Sequence, residues 1–216
     1  MIEYHKIGTL FQRDVEGTKK LIEGMYCNDT VRFLKDLYWD WTEKVDGTNI
    51  RVHWDGHKVE FGGRTDNASI PASLVAKLNE YFGGETNAQL FEQTFGDRDV
   101  YIMGEGYGTK IQNGGDYTDN KGVDFIMFDL KIGANYQDRA SVERCAETFG
   151  IKVVPVVGCG DLDAAVKYVK SHPMSFLGNG KHEMEGIVCR PMVELNDRCH
   201  NRVIVKIKWN DFKELT

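Results

Sequence analysis

No apolar run in this sequence approaches the ~20 residues a helix needs to cross a bilayer, and its first residues, Met1-Ile2-Glu3-Tyr4-His5-Lys6, are not those of a secretory signal. Membrane residence is not expected, and a cytoplasmic setting is. Positive charge is in deficit: 27 Lys plus Arg stand against 33 Asp plus Glu, a formal net charge of -6. General attraction to a phosphate backbone is therefore lacking, and a nucleic acid would have to be held by a local basic patch. Charge alone favours a small-molecule enzyme. The five cysteines, Cys27, Cys145, Cys159, Cys189 and Cys199, form no Cys-x-x-Cys pair and no regular framework, which speaks against structural zinc and disulfides. With only 4 prolines, no repeat and no Pro- or Ser-rich linker, no boundary stands out. The expectation is one domain over 1–216, with 1–37 a leader of short elements.

What the chain does contain is a globular balance, 41% hydrophobic and 28% charged, enough for a real core. Its most informative stretch is Trp39-Asp40-Trp41-Thr42-Glu43-Lys44-Val45-Asp46-Gly47-Thr48-Asn49-Ile50-Arg51-Val52. It reads as a strand through Glu43, a break at Asp46-Gly47 and a second, alternating strand from Asn49 to Trp54. Lys44 is thereby held at a strand end, where a lysine can act as a nucleophile; taken alone it reads more simply as a surface lysine paired with Glu43 or Asp46, and the residues downstream have to overturn that. Asp55-Gly56 signals a hairpin returning through Lys58 to Phe61. The return ends at Gly62-Gly63-Arg64, and beside Lys44 the fork of donors on Arg64 suits phosphoryl oxygens.

Helices are expected over 17–26, 69–82, 87–95, 137–149 and 161–171 from apolar residues recurring at helical spacing. Val31 to Leu34 reads as a turn or a strand. Val100 to Met103 is an apolar strand running into Gly104-Glu105-Gly106, where glycines let a ligand approach and Glu105 can accept from hydroxyls. Past a polar glycine-rich loop, Val123 to Leu130 is a strand whose alternation puts Phe128 with Asp124, and Asp129 with Phe125 and Met127. Phe128 is either core or a flat platform for a base. Ile151 to Val157 reads as one edge strand interrupted by Pro155. Glu185 opens a strand through Arg190, and in Val205-Lys206-Ile207-Lys208 both lysines fall on one face, where they repel unless they share an anion.

The polar candidates are Lys44, Arg64, Glu105, Glu185, Lys206 and Lys208; the basic members would neutralise phosphates, while Glu185, with Asp46 or Asp129, can hold a divalent ion. Mg2+ is the natural partner of carboxylates and phosphates, with Mn2+ a substitute.

Six segments, in order, resemble those of the covalent nucleotidyltransferases, the superfamily of ATP-dependent DNA and RNA ligases and mRNA capping enzymes. They are Lys44-Val45-Asp46-Gly47, Gly63-Arg64, Gly104-Glu105-Gly106, Asp124 to Asp129, Glu185-Gly186-Ile187-Val188 and Val205-Lys206-Ile207-Lys208. Glu43 to Asn49 and Phe125 to Asp129 are most similar to the bacteriophage and RNA-editing type of RNA ligase. Asp46, where that group usually has histidine, matches the DNA ligases instead.

The resemblance implies an α+β nucleotidyltransferase domain with two largely antiparallel sheets flanked by helices. It implies ATP as the cofactor and Lys44 as AMP acceptor, with catalytic support from Glu185, Lys206 and Lys208. Glu43 would position adenine, Asn49 and Arg64 would bind ribose or phosphate, Glu105 a ribose hydroxyl, and Phe128 would stack on the base. Glu185 and Asp46 would face the metal. The partner would be nicked or single-stranded RNA, with DNA as rival, and a phage-borne enzyme is one setting. Family members carry a further clamp domain after the last motif; the expectation here is no such domain, which leaves a minimal ligase, a subunit whose partner supplies the clamp, or an excised catalytic domain. The rival functions are a minimal DNA ligase, a GTP-using capping enzyme and a non-catalytic nucleotide-dependent binding subunit.

Overall fold

The computed structural model describes residues 1–178, 180 and 182–213. The chain begins with short strands Gly8–Thr9 (β1), Phe11–Arg13 (β2) and Leu21–Tyr26 (β3), a helix Asp29–Leu34 (α1) and the strand Trp39–Glu43 (β4). Strands Thr48–Trp54 (β5) and Val59–Gly62 (β6) come next, then helices Ala72–Phe82 (α2) and Gly84–Phe95 (α3). Long strands Val100–Gly108 (β7) and Val123–Ile132 (β8), the short Asn135–Tyr136 (β9) and helix Arg139–Phe149 (α4) follow. The chain continues through Lys152–Val153 (β10), Val156–Gly160 (β11), Leu162–Lys170 (α5), Gly186–Pro191 (β12) and Val205–Lys208 (β13). These elements fall into two compact units, Met1–His5 with Asp46–Val154, and Lys6–Val45 with the chain from Pro155 on.

The first unit is a sheet in the order β10-β8-β7-β5-β6, with β9 on β8, antiparallel except at the β8–β10 edge. The Asp55-Gly56 hairpin forms as expected: the Asp55 carboxylate accepts from the N–H groups of His57 and Lys58, and Trp54 pairs with Val59. One face of the sheet offers Ile50, Val52, Ile102, Phe125 and Met127 to the apolar stripes of α2, α3 and α4, including Leu74, Leu78, Phe82, Phe91 and Phe149. The opposite face carries Asn49, Arg51 and Glu105. Along it runs Met1–His5: fully buried Arg51 donates to the carbonyls of Met1 and Ile2, to Gly63 O at 2.5 Å and to Asp66 at 3.0 Å. A buried guanidinium with its donors occupied in this way is a strong local fastening.

The second unit is a sheet in the order β1-β13-β12-β4-β11, parallel only at β1–β13, beside a β2–β3 ribbon. Trp39, Ile187, Cys189, Val205 and Ile207 pack with Leu162, Ala165 and Val169 of α5. Asp161 caps α5 by accepting from Ala164 N–H.

Several sequence expectations are corrected. The helix expected over 17–26 is instead β3: Gly24 disfavours helix in its middle, and Leu21 is buried while Ile22 and Met25 stay exposed, so no helical stripe is buried. Val31 to Leu34 lies in α1, whose N-terminus Asn28 caps. Helix α3 starts at Gly84 rather than 87, because Gly83 ends α2 and opens α3 in one residue. Ile151 to Val157 is two strands in two sheets. Val154 N–H donates to Met127 O, whereas Pro155, with no N–H, turns its carbonyl to Glu43 N–H.

Candidate active site

In the second unit β4 lies between β11 and β12, and β12 lies between β4 and β13. Register sets Ile187 opposite Glu43 and Gly186 opposite Lys208, which brings the end of β4, the start of β12 and the end of β13 side by side. A Cβ at Gly186 would stand 2.1 Å from Ile207 O, so only glycine lets β12 and β13 approach this closely. Lys44 N–H donates to Gly186 O at 2.9 Å, fixing the residue past the strand end.

Lys44, Glu185, Lys206 and Lys208 meet here. Lys44 Nζ donates to Glu185 Oε2 at 2.5 Å and Lys208 Nζ to Oε1 at 2.8 Å. All three side chains are only partly exposed, between 13% and 30%, so water screens them incompletely. Burial pushes the Lys206 amine below the ordinary lysine range, and the ammonium groups of Lys44 and Lys208 push it the same way. Three ammonium groups and one carboxylate leave an excess of two positive charges, a setting that rewards a polyanionic ligand. Glu43 turns the other way on β4. It is 1% exposed, and its carboxylate accepts from Ser175 Oγ and, at 2.9 Å, from Phe176 N–H. Burial pushes its acid up despite those two bonds, and both oxygens are engaged within the protein.

In the first unit Asn49 and Glu105 are direct cross-strand partners. Asn49 Oδ1 is buried and has no hydrogen-bond partner among the described residues, an acceptor left for a donor from outside the chain. Gly47 approaches Gly106 O so closely that a Cβ would lie 2.3 Å from it. The pairing of β7 with β8 shifts register between Met103↔Asp129 and Gly104↔Met127. Phe128 is the extra residue of that bulge. The expected alternation therefore fails: Asp129 joins the row of Arg51 and Met103, away from Phe125 and Met127. Asp129 is buried and accepts from Tyr4 Oη at 2.6 Å, while the Tyr4 ring lies 5.2 Å from the half-buried Phe128 ring. That enclosure takes Asp129 out of the set expected to reach a metal. Asp46 is fastened from the 109–122 loop, its carboxylate accepting from Asn113 at 2.8 Å and its N–H donating to Tyr117 Oη at 3.1 Å. Arg64 is exposed on the turn that Arg51 anchors through Gly63.

Among the described residues no group of three or more His, Cys, Asp or Glu could hold a metal. Glu185 still fits one, since Mg2+ is commonly bound through one or two carboxylates plus substrate phosphates, and the lysines around Glu185 suit those phosphates.

A model of the RNA ligase family matches residues 37–208. This chain belongs to the RNA ligase family. No curated protein sequence matches it. Among solved structures it is similar to a Naegleria gruberi RNA ligase variant with ATP and Mn, at TM-score 0.65 and 17% identity over 86% of this chain and 53% of that one. A variant of the same ligase with AMP and Mn gives 0.64 and 18%, over 97% and 63%. The ligase with PPi gives 0.63 and 18%, over 98% and 63%. This RNA ligase family chain thus has the mixed α+β nucleotidyltransferase fold and spans between about half and two thirds of those structures.

Sequence reasoning did not single out Arg51, Tyr4 or the role of Asp124. Asp124 gathers Tyr81 Oη at 2.8 Å, Lys152 Nζ at 2.9 Å and Tyr107 Oη at 3.2 Å. Burial raises its acid, but hydrogen bonds from Lys152, Tyr81 and Phe125 N–H outweigh that and hold it below the usual range. Arg51 was legible only as a polar residue in an alternating strand, and nothing local marks Tyr4.

Proposed function

We propose that this chain is an ATP-dependent RNA ligase that joins 3'-hydroxyl and 5'-phosphate ends through a lysyl-AMP intermediate. The observation that carries the reading is Lys44 Nζ held 2.5 Å from Glu185, whose other oxygen holds Lys208. Lys44 already directs a proton at a carboxylate oxygen; with that proton shed, Nζ attacks the α-phosphorus, a P–N bond forms, the P–O bond to the β-phosphate breaks and pyrophosphate leaves. Lys206 and Lys208 neutralise charge developing on the phosphates. Asn49 and Glu105 receive the sugar and Phe128 the base. A divalent cation held by Glu185 would add charge neutralisation at the α-phosphate. The AMP then passes to a 5'-phosphate of the polynucleotide, and the 3'-hydroxyl displaces it.

Incubation with ATP and Mg2+ or Mn2+ is expected to leave one AMP on Lys44, seen as an acid-labile mass increase that Lys44→Ala abolishes. An adduct with GTP instead of ATP would make the chain a guanylyltransferase, and no adduct at all would refute the ligase. Asp46 favours DNA ligase as the second reading. Matched nicked duplexes with ribose or deoxyribose at the 3'-hydroxyl end separate the two, because the 2'-hydroxyl is the group that differs. Preference for the all-deoxy nick would overturn RNA as substrate.

A further inference from the structure

One short segment, 172–176, bonds to the chain neighbours of three residues of the lysine cluster. His172 stacks on Trp209, centroids 4.1 Å apart and rings 21° from parallel. Trp209 directly follows Lys208, and its N–H donates to Glu185 O at 3.0 Å. His172 Nε2 also lies 2.8 Å from Glu183 Oε2. The segment then pairs antiparallel with the residues leading into Glu185: Met184 N–H donates to Pro173 O and Ser175 N–H to His182 O, each at 3.0 Å, with a bridge between Met174 and Glu183. Finally Ser175 Oγ and Phe176 N–H donate to the buried carboxylate of Glu43, the residue before Lys44. His172 holds φ +57, in the left-handed region that side-chain-bearing residues adopt uncommonly.

We propose that segment 172–176 is a strap that positions Lys44, Glu185 and Lys208 relative to one another, with His172, Ser175 and Glu43 as positioning residues that touch no substrate. The strap sets where three strand ends stop, and those stops carry the two ammonium groups and the carboxylate they share. It rests on the ligase reading for the roles of those three residues, but its geometric content does not. Because the strap holds the end of β4, the entry of β12 and the end of β13, loosening it lets Lys44 leave Glu185 without unpairing the strands.

The test is competitive labelling of lysines with trinitrobenzenesulfonate, read by peptide mass spectrometry, with exposed Lys121 as internal reference. His172→Ala and Ser175→Ala are expected to raise Lys44 labelling relative to Lys121 about fivefold, the equilibrium equivalent of one net hydrogen bond lost. His172→Phe, which keeps a ring on Trp209, and Glu43→Gln, which keeps an acceptor for Ser175 and Phe176, are expected to return most of the way to wild type. Should an alanine variant fail to fold by circular dichroism, His172→Gln and Ser175→Cys take its place with the same two outcomes. Lys44 labelling at the wild-type level in the strap variants, or a rise no smaller in the conservative pair, overturns the strap. In single-turnover adenylylation the disruptive variants are expected to lose about a hundredfold in rate at saturating ATP, the scale of a ~1 Å misplacement, with half-saturation unchanged. If the wild type forms no adduct, the ligase reading falls, and the labelling still decides the strap.

Discussion

Of the two glutamates near the strand-end Lys44, only Glu185 meets it; Glu43, its neighbour in the chain, is bonded to Ser175 and Phe176. Strand alternation sends Glu43 into the core and leaves Lys44 to reach Glu185. The sequence placed both at strand ends, yet it could not say which carboxylate would meet the lysine, since that depends on β12 pairing beside β4 across more than a hundred residues. The buried state of Glu43 has a measurable sign. Its folded acid is raised above the ordinary glutamate value of 4.5 by burial, so between that value and the folded one the native state binds more protons than the unfolded chain. Stability therefore falls as pH rises through this window, the cost being fully present above the folded value. Thermal melts from pH 4 to 7 are expected to show Glu43→Gln gaining on the wild type as pH rises; parallel curves would mean that Glu43 ionises as freely as in the unfolded chain.

At the scale of elements, the hairpin at Asp55-Gly56, the lysine face of β13 and the helices α2, α4 and α5 were legible because each is specified within a few residues, by a turn signal or a repeating apolar spacing. Other elements were not. Ribbon β2–β3 depends on a partner strand, the bulge at Phe128 depends on β7, and the break at Pro155 divides a continuous apolar run between two sheets. In each case tertiary pairing overrides local pattern. The Glu185-Gly186 motif is legible as a sequence, but its reason is the 2.1 Å approach at Ile207 O. Gly186→Ala is expected to cost roughly 1–3 kcal/mol, as overpacking does, and to lower adenylylation more than Ile187→Val, which trims the same strand without forcing β13 away. Urea melts and adduct formation check both; an alanine variant as stable as wild type would show that the two strands separate at little cost.

The whole chain carries a net charge of -6, against which Lys44, Lys206 and Lys208 gather around Glu185. In the proposed reaction the phosphates of ATP would need only that cluster, whereas a polynucleotide would engage phosphates beyond it. End joining is expected to weaken steeply with added salt while self-adenylylation persists; equal tolerance in parallel titrations would point to a phosphate-binding surface elsewhere on the chain. The same molecule-wide order of strands has a consequence for synthesis. Strand β4 has no partner from its own third of the chain: β11 and β12 flank it, and their residues come from Val156 onward. On a ribosome adding about 5–20 residues per second, the strand that leads into Lys44 waits on the order of ten seconds for the last of its neighbours. Residues 46–154 are complete before that, and they pair among themselves. A nascent chain halted anywhere before Glu185 would leave β4 with an unpaired edge, a template for aggregation, and Lys44 without its carboxylate partner.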